Sequence, residues 1–296
     1  MKRIGKFVLF ALLLSFPALF WSCENPQEPS DTNLTDDYLH VRAAWSPDGT
    51  TIAFSSLATN ATGIVLVDSS GGNLRSVRSG DGLGVTWSPD GRWLAFTSAG
   101  YLYKMRPNGD SLVQLGDLYG AIRPAWSRDG SHIAFVPREA GSGIWLYDLS
   151  SGTASQLLAY GNYPSWHPGT GEIIAFDIQI DLSSGVALYS FLAVTPSTRA
   201  VRTISSFTTI SDCGFSSISP DGNTIVYSLR RPDDRVQIWS FDINLVQHKQ
   251  LTSDGGDFAA WSPDGKKIVY TRTQPGDGTL WVMNADGSNK RRLTKP

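Results

Sequence analysis

Beyond residue 40, apolar and polar positions alternate with a period of two in short runs, and the runs are broken by turns rich in Gly, Pro, Asp and Ser. The clearest runs are Ile52-Ala53-Phe54, Leu94-Ala95-Phe96, Ile133-Ala134-Phe135, Ile225-Val226-Tyr227 and Ile268-Val269-Tyr270. Period-two patterning marks a β-strand with one well-buried face. Each run follows a copy of one motif. Trp-Ser-Pro-Asp-Gly stands at 45–49, 87–91 and 261–265, with one-residue departures at 126–130 (Arg for Pro) and 218–222 (Ile for Trp). A further copy, Trp166-His167-Pro168-Gly169-Thr170-Gly171, reads as stretched by one residue, which would align its Ile174 and Phe176 with Ile52 and Phe54. In Ser-Pro-Asp-Gly, Pro presets φ near −65°, Asp suits the next turn position, and Gly takes a positive φ that closes a hairpin.

The six copies start 42, 39, 40, 52 and 43 residues apart. A period near forty signals a repeat architecture. Each copy adds a third strand (64–68, 102–105, 144–148, 187–191, 238–242 and 280–284) and a short polar fourth strand (74–77, 112–115, 155–158, 201–204, 249–252 and 291–294). Short, polar, basic strands are how sheet edges avoid pairing with strangers. No later window keeps a helical period over three turns. The expected fold is therefore all-β: a six-bladed β-propeller with four antiparallel strands per blade, as a single domain over 41–296. Blades are expected at 41–78, 84–116, 122–158, 162–205, 214–252 and 257–294. The first blade should pack on the last, with at most a short contribution from 34–40. The long fourth interval is assigned to extra loop around 181–185 and 206–213.

The repeats resemble those of the TolB-like six-bladed β-propeller family, whose mark is Trp-Ser-Pro-Asp-Gly-x-x-Ile-Ala-Phe. Residues 45–54 and 87–96 match closely, 126–135 nearly so, and 261–270 with Val-Tyr for Ala-Phe. The resemblance implies a periplasmic, outer-membrane-associated setting and a propeller that binds partner proteins. It specifies fold far better than function.

Residues 1–22 change the picture of where the chain works. Lys2, Arg3 and Lys6 precede an apolar run from Phe7 to Trp21, too short for a comfortable membrane span, and Ser22-Cys23 ends it. This resembles a lipoprotein signal peptide, with Cys23 as the lipidated first residue of the mature chain. Residues 23–40 would be a flexible tether, polar and acidic. Removing the leader deletes three basic residues and no acidic one, so a net charge of −2 becomes −5. An exported, mildly acidic chain argues against nucleic acid as a partner. The expected partners are an envelope protein or peptide, plus the membrane through the anchor, with the chain itself a monomer. Glu24 after Cys23 favours the outer membrane by the enterobacterial sorting rule.

Candidate chemistry is sparse. The four histidines (His40, His132, His167, His248) fall on different strands and turns and lack zinc-ligand spacing. No Gly-x-Ser-x-Gly elbow occurs. The repeated serines read as turn residues, and Asp48, Asp90, Asp129, Asp221 and Asp264 as acceptors for backbone N–H groups of their own turns. Trp45, Trp87, Trp126, Trp166 and Trp261 read as core. Neither a metal nor a cofactor is expected, nor a catalytic residue. The informative positions are those that vary between copies. Three residues before each Trp or its Ile stand Arg42, Gly84, Arg123, Tyr163, Phe215 and Phe258. By register they ring one mouth of the central channel, and Arg42, Arg123, Tyr163, Phe215 and Phe258 form the candidate partner site, suited to an anionic or peptide ligand. The competing expectation is a glycan-binding or polysaccharide-active propeller, with Asp212 and Asp257 as its best carboxylate pair.

Overall fold

A computed structural model describes residues 40–58, 62–138, 143–181, 186–209, 213–230, 235–273 and 278–295. The expected signal peptide, Cys23 and all of the expected tether but His40 lie outside the described residues. Six four-stranded antiparallel sheets follow one another along the chain, each a simple up-and-down meander, spanning 40–79, 83–114, 121–158, 162–209, 213–250 and 257–292. The first strand of every blade packs on the first strand of the next, and the last blade packs on the first. The result is the expected six-bladed propeller. Every blade draws its four strands from one continuous stretch, so the ring is closed by packing. The seam between the last and first blades joins Ala43, Ile52, Phe54 and Val65 to Val269, Leu280, Val282 and Leu293.

The motif builds the ring in two ways. Its buried serine donates to the aspartate two residues on (Ser46 to Asp48, 2.5 Å; Ser88 to Asp90 and Ser127 to Asp129, 2.6 Å). The same hydroxyl accepts the backbone N–H five residues on, and the aspartate accepts the N–H two residues on. The motif's proline also packs on the left-handed glycine of the following blade: Pro47 faces Gly91, Pro89 faces Gly130, Pro220 faces Gly265 and Pro263 faces Gly49. The departures do the same job by other means. Arg128, in place of proline, donates to the carbonyl of Pro168 at 2.9 Å, and the His167 ring abuts Gly222. Substituting the motif therefore changes which side chain bridges two blades without breaking the circle.

These hydrogen bonds, the serine's first, hold the Asp129 carboxyl at about 2, against an ordinary 3.8, and lower Asp48, Asp90, Asp221 and Asp264 in the same way. A depressed carboxylate stabilises the fold above its unfolded-state pKa, and that contribution is lost as pH falls through the folded value. Stability measured by urea unfolding should therefore decline between pH 4 and pH 2. Ser127→Ala should cost about 1–2 kcal/mol at pH 7, because the His132 N–H loses its acceptor, and should flatten that acid limb. An unchanged limb would show that the turns do not carry the acid sensitivity.

Most of the fully buried aromatics are on the second strands, where Phe54, Phe96 and Tyr270 are wholly enclosed, each facing the preceding blade. The five tryptophans are only half-buried and lie at the margins of these clusters. Two of them add a polar link instead. The indole N–H of Trp87 donates to the Ala44 carbonyl (3.1 Å) and that of Trp166 to Ala125 (3.0 Å), each on the preceding blade.

Blade 4 departs from expectation twice. Trp166 pairs with Ile173, the same seven-residue span as Trp45 with Ile52, so the copy is not stretched. Ala175, not Phe176, takes the place of Phe54. A one-residue offset moves a side chain to the other face of a sheet, and Phe176 accordingly faces blade 5. The seam between blades 3 and 4 is left aliphatic, while that between blades 4 and 5 gathers Phe176, Tyr189, Phe191, Phe207, Tyr227, Phe241 and His248. Second, the residues assigned to a loop from 206 continue a strand. The second, third and fourth strands (Ile173–Asp181, Val186–Val194, Val201–Thr209) are nine residues each. Phe207 anchors the extension by stacking on Tyr189 at 5.9 Å.

Candidate functional site

In the first strand of five blades, two residues oppose one on the second strand, a β-bulge recurring at one register. The first bulged residue is left-handed each time: Arg42 (φ 55°), Gly84 (64°), Arg123 (56°), Tyr163 (52°) and Phe258 (54°). Glycine adopts this conformation freely, whereas other L-residues pay about 1–2 kcal/mol. Four blades nevertheless keep a large side chain there. Bulges re-aim side chains, commonly beside binding sites, and here they turn these side chains into the channel. The positions singled out by their variability are the positions of the bulge.

Arg42, Arg123, Tyr163 and Phe258 line one cavity of about 170 Å³ with Gly84, Pro124, Ser165, Ser216, Ser217 and Ala260. Phe215 sits in the first strand of blade 5, Cys213–Ile218, and its side chain lies outside the described residues. Of the small residues that stand just before each motif tryptophan or its Ile, Ser165, Ser217 and Ala260 face the channel.

The cluster is set deep in the channel wall. Arg123, Tyr163 and Phe258 are 8%, 9% and 4% exposed. The Arg123 guanidinium lies 4.0 Å from the centre of the Tyr163 ring, donates to Asn162 Oδ1 at 2.7 Å, and reaches the Tyr163 hydroxyl at 3.3 Å. Arg42 lies over Phe258 at 5.8 Å and extends above Gly84. Cation–aromatic contacts of this kind strengthen as water is excluded. The site thus offers two fixed cations on aromatic supports, with serine hydroxyls between them.

Around it, the acids of nearby loops have local duties. Asp81 accepts from Ser98 and the Ala99 N–H, Asp257 from Ser228 and the Phe258 N–H, and Asp254 pairs with Arg272 at 3.0 Å. Asp212 lies outside the described residues. Tyr119 and Tyr160 are well exposed on the loops that lead into blades 3 and 4. Among the described residues no three His, Cys, Asp or Glu side chains gather in a way that could hold a metal ion.

The TolB beta propeller domain model matches residues 120–296, more than half the chain. The chain belongs to the TolB β-propeller family. No curated protein matches its sequence. Among solved structures, a protein assigned as TolB from Agrobacterium tumefaciens aligns with a TM-score of 0.63 at 22% identity, over 75% of this chain and 84% of that one. TolB from Acinetobacter baumannii aligns at 0.58 and 16% identity, over 86% of this chain and 66% of that one. An oligogalacturonate lyase from Vibrio parahaemolyticus aligns at 0.57 and 14% identity, over 90% and 83%. At such identities the likeness carries the fold alone.

Proposed function

We propose that this TolB-family propeller is an exported, lipid-anchored envelope protein without catalytic activity, which holds a protein or peptide partner at the channel cavity. The observation that carries the reading is the left-handed ring. Two arginines and two aromatics are kept at a conformation where glycine would be cheaper, and all four converge on one space. Buried cations backed by aromatic rings favour an anionic group of the partner, a carboxylate above all, through charge-assisted hydrogen bonds. The family match supports a partner-binding role, and the leader ending at Cys23 supports export and anchoring.

The decisive variant is Arg42→Gly combined with Arg123→Gly. Glycine suits the backbone at both places, as Gly84 demonstrates, so loss of function would not arise from strain. In-cell crosslinking of the wild type should capture a specific partner, and the double variant should capture it at least tenfold less while melting within a few degrees of wild type. Equal capture by the variant would refute the assignment.

A second reading, an acidic-glycan binder or polysaccharide-active propeller, is favoured by the same arginine pair, which would suit uronate carboxylates. The likeness to an oligogalacturonate lyase gives it a concrete substrate class. Release of unsaturated products from oligogalacturonate by the purified protein would favour this reading over the first.

A further inference from the structure

In five blades the first strand covers the second to within a residue of its end: His40 pairs with Ser56, Leu83 with Thr97, Ala121 with Pro137, Cys213 with Leu229 and Asp257 with Thr271. In blade 4 the pairing stops early. The first strand, Asn162–Trp166, begins opposite Phe176, yet the second runs on to Asp181. The third strand stays paired along that whole extension, Asp177 to Val186 and Ile178 to Tyr189 included. The stretch 177–181 therefore has a sheet neighbour on its outer side and, among the described residues, none on the side towards the channel. At about 3.3 Å per residue the extension stands some 10 Å beyond the neighbouring blades, at the end of the ring where the first strands begin.

An open edge presents N–H and C=O groups of every second residue, spaced for another polypeptide backbone and for little else. The outer edges of four other blades are disguised. The outermost strands of blades 2 and 6 are two residues each, and those of blades 1 and 5 carry basic residues. The 177–181 edge has no lysine, arginine, proline or bulge, and its sequence, Asp-Ile-Gln-Ile-Asp, has two acids and no base. Its two faces differ. Ile178 packs with the aromatic seam towards blade 5, whereas Asp177 lies on the face towards blade 3 with only 7% of its surface exposed. The one side-chain hydrogen bond shown for Asp177 comes from Gln179 Nε2, at 3.3 Å.

We propose that this edge is a β-augmentation site, where an extended segment of a partner polypeptide adds a strand in line with Asn162–Trp166. The inference rests on the partner-binding reading above and names how the partner's chain is gripped. Backbone pairing supplies affinity, and the side chains on either face supply choice. Cross-strand neighbours lie about 4.5–5.5 Å apart at Cβ, so the added strand sets alternate residues against Asp177 and against Ile178. The occupant is accordingly a segment alternating basic and apolar residues, running antiparallel to the edge and delivering its following residues to Arg123 and Tyr163.

The test is amide hydrogen exchange by NMR on the purified protein, with two amidated decapeptide probes, (Lys-Val)5 and (Glu-Val)5. The lysine peptide should slow exchange at least tenfold at alternate residues within 177–181, and the glutamate peptide at least tenfold less effectively. Asp177→Asn should shrink that difference at least threefold. The amidated lysine probe has no carboxylate, so its protection should persist in Arg42→Gly. Protection that persists while partner capture ignores the arginines would count against the cavity reading alone. Absent protection with arginine-dependent capture intact would overturn the edge assignment alone. Concentration-dependent dimerisation that protects the same amides without peptide would assign the edge to a second copy and overturn the foreign-strand proposal.

Discussion

Gly109→Ala is expected to lower stability by about 3 kcal/mol or more. Gly109 closes the turn between the third and fourth strands of blade 2 with φ 92°, and a β-carbon there would sit 2.5 Å from the Val77 carbonyl oxygen of blade 1. Conformation alone costs about 1–2 kcal/mol. The overlap adds more, because the atom in the way is backbone that moves only with its strand. The same turn recurs around the ring and grades the prediction. At Gly71 the obstacle is the Leu293 carbonyl oxygen and at Gly287 the Leu251 carbonyl oxygen, both at 3.0 Å, with φ 98° and 89°. Alanine at these two should cost less than at Gly109. Gly171 is the control, with φ 70° and nothing within 4 Å of the added carbon. Its alanine variant should pay the conformational cost alone. Urea unfolding of the four variants reads the order directly, and equal losses at Gly109 and Gly171 would show that blade-to-blade contact at this turn is slack.

The seam turns bear on affinity for neighbours as well. Basic side chains of the fourth strands donate to the same turns of the following blade: Arg75 to the Pro107 carbonyl, Lys249 to Asp286 and Arg291 to Ser69 at 2.7 Å. The sequence suggested that this basic character protects edges. The structure adds that it ties each blade to the next.

Blade number, strand count and the channel-facing register were readable because they rest on local chemistry repeated six times: a tight turn, a period of two, and a fixed distance between them. The bulge was not readable. Nothing in Arg42, Arg123, Tyr163 or Phe258 signals a left-handed backbone, and only Gly84 at the same register hinted at it. The offset of blade 4 was misjudged because Ile173-Ile174-Ala175-Phe176 offers apolar residues to both faces, so pattern alone allows two registers. Pairing with Trp166 decides between them. The long wall was hidden by Ser205-Ser206, which reads as a turn until Phe207 is seen to pack on Tyr189 and on Phe191 at 5.8 Å. The candidate site was legible as a set of varying positions. Its buried geometry came from the bulge, and so could not be.

The misaligned aromatic has a consequence that can be measured. Phe191→Ala should destabilise by about 3–5 kcal/mol, the usual range for a fully enclosed phenylalanine. Phe191 has none of its surface exposed and meets Phe176, Tyr227 and Phe241 at 5.5, 5.4 and 5.6 Å between ring centres, so it joins the sheets of blades 4 and 5. His248 shares this seam. Its ring lies 4.7 Å from Phe241 and 5.0 Å from Phe207, and its Nδ1 is 2.9 Å from the Tyr227 hydroxyl. Burial lowers the His248 pKa below its ordinary 6.5. The unfolded chain therefore binds this proton more readily than the folded one. The resulting stability is present above pH 6.5 and declines as pH falls towards the folded value. Phe191 packs behind Phe207, Tyr227 and Phe241, the rings that enclose the imidazole, so removing it should loosen that enclosure, relieve the desolvation and move the His248 pKa back up. Phe191→Ala should thus lose stability at every pH while losing less of it than wild type between pH 7.5 and pH 5.5. Denaturant titrations at the two pH values test both halves. A variant that is destabilised but keeps the full wild-type pH dependence would mean that the imidazole is shielded by Phe207 and Phe241 alone.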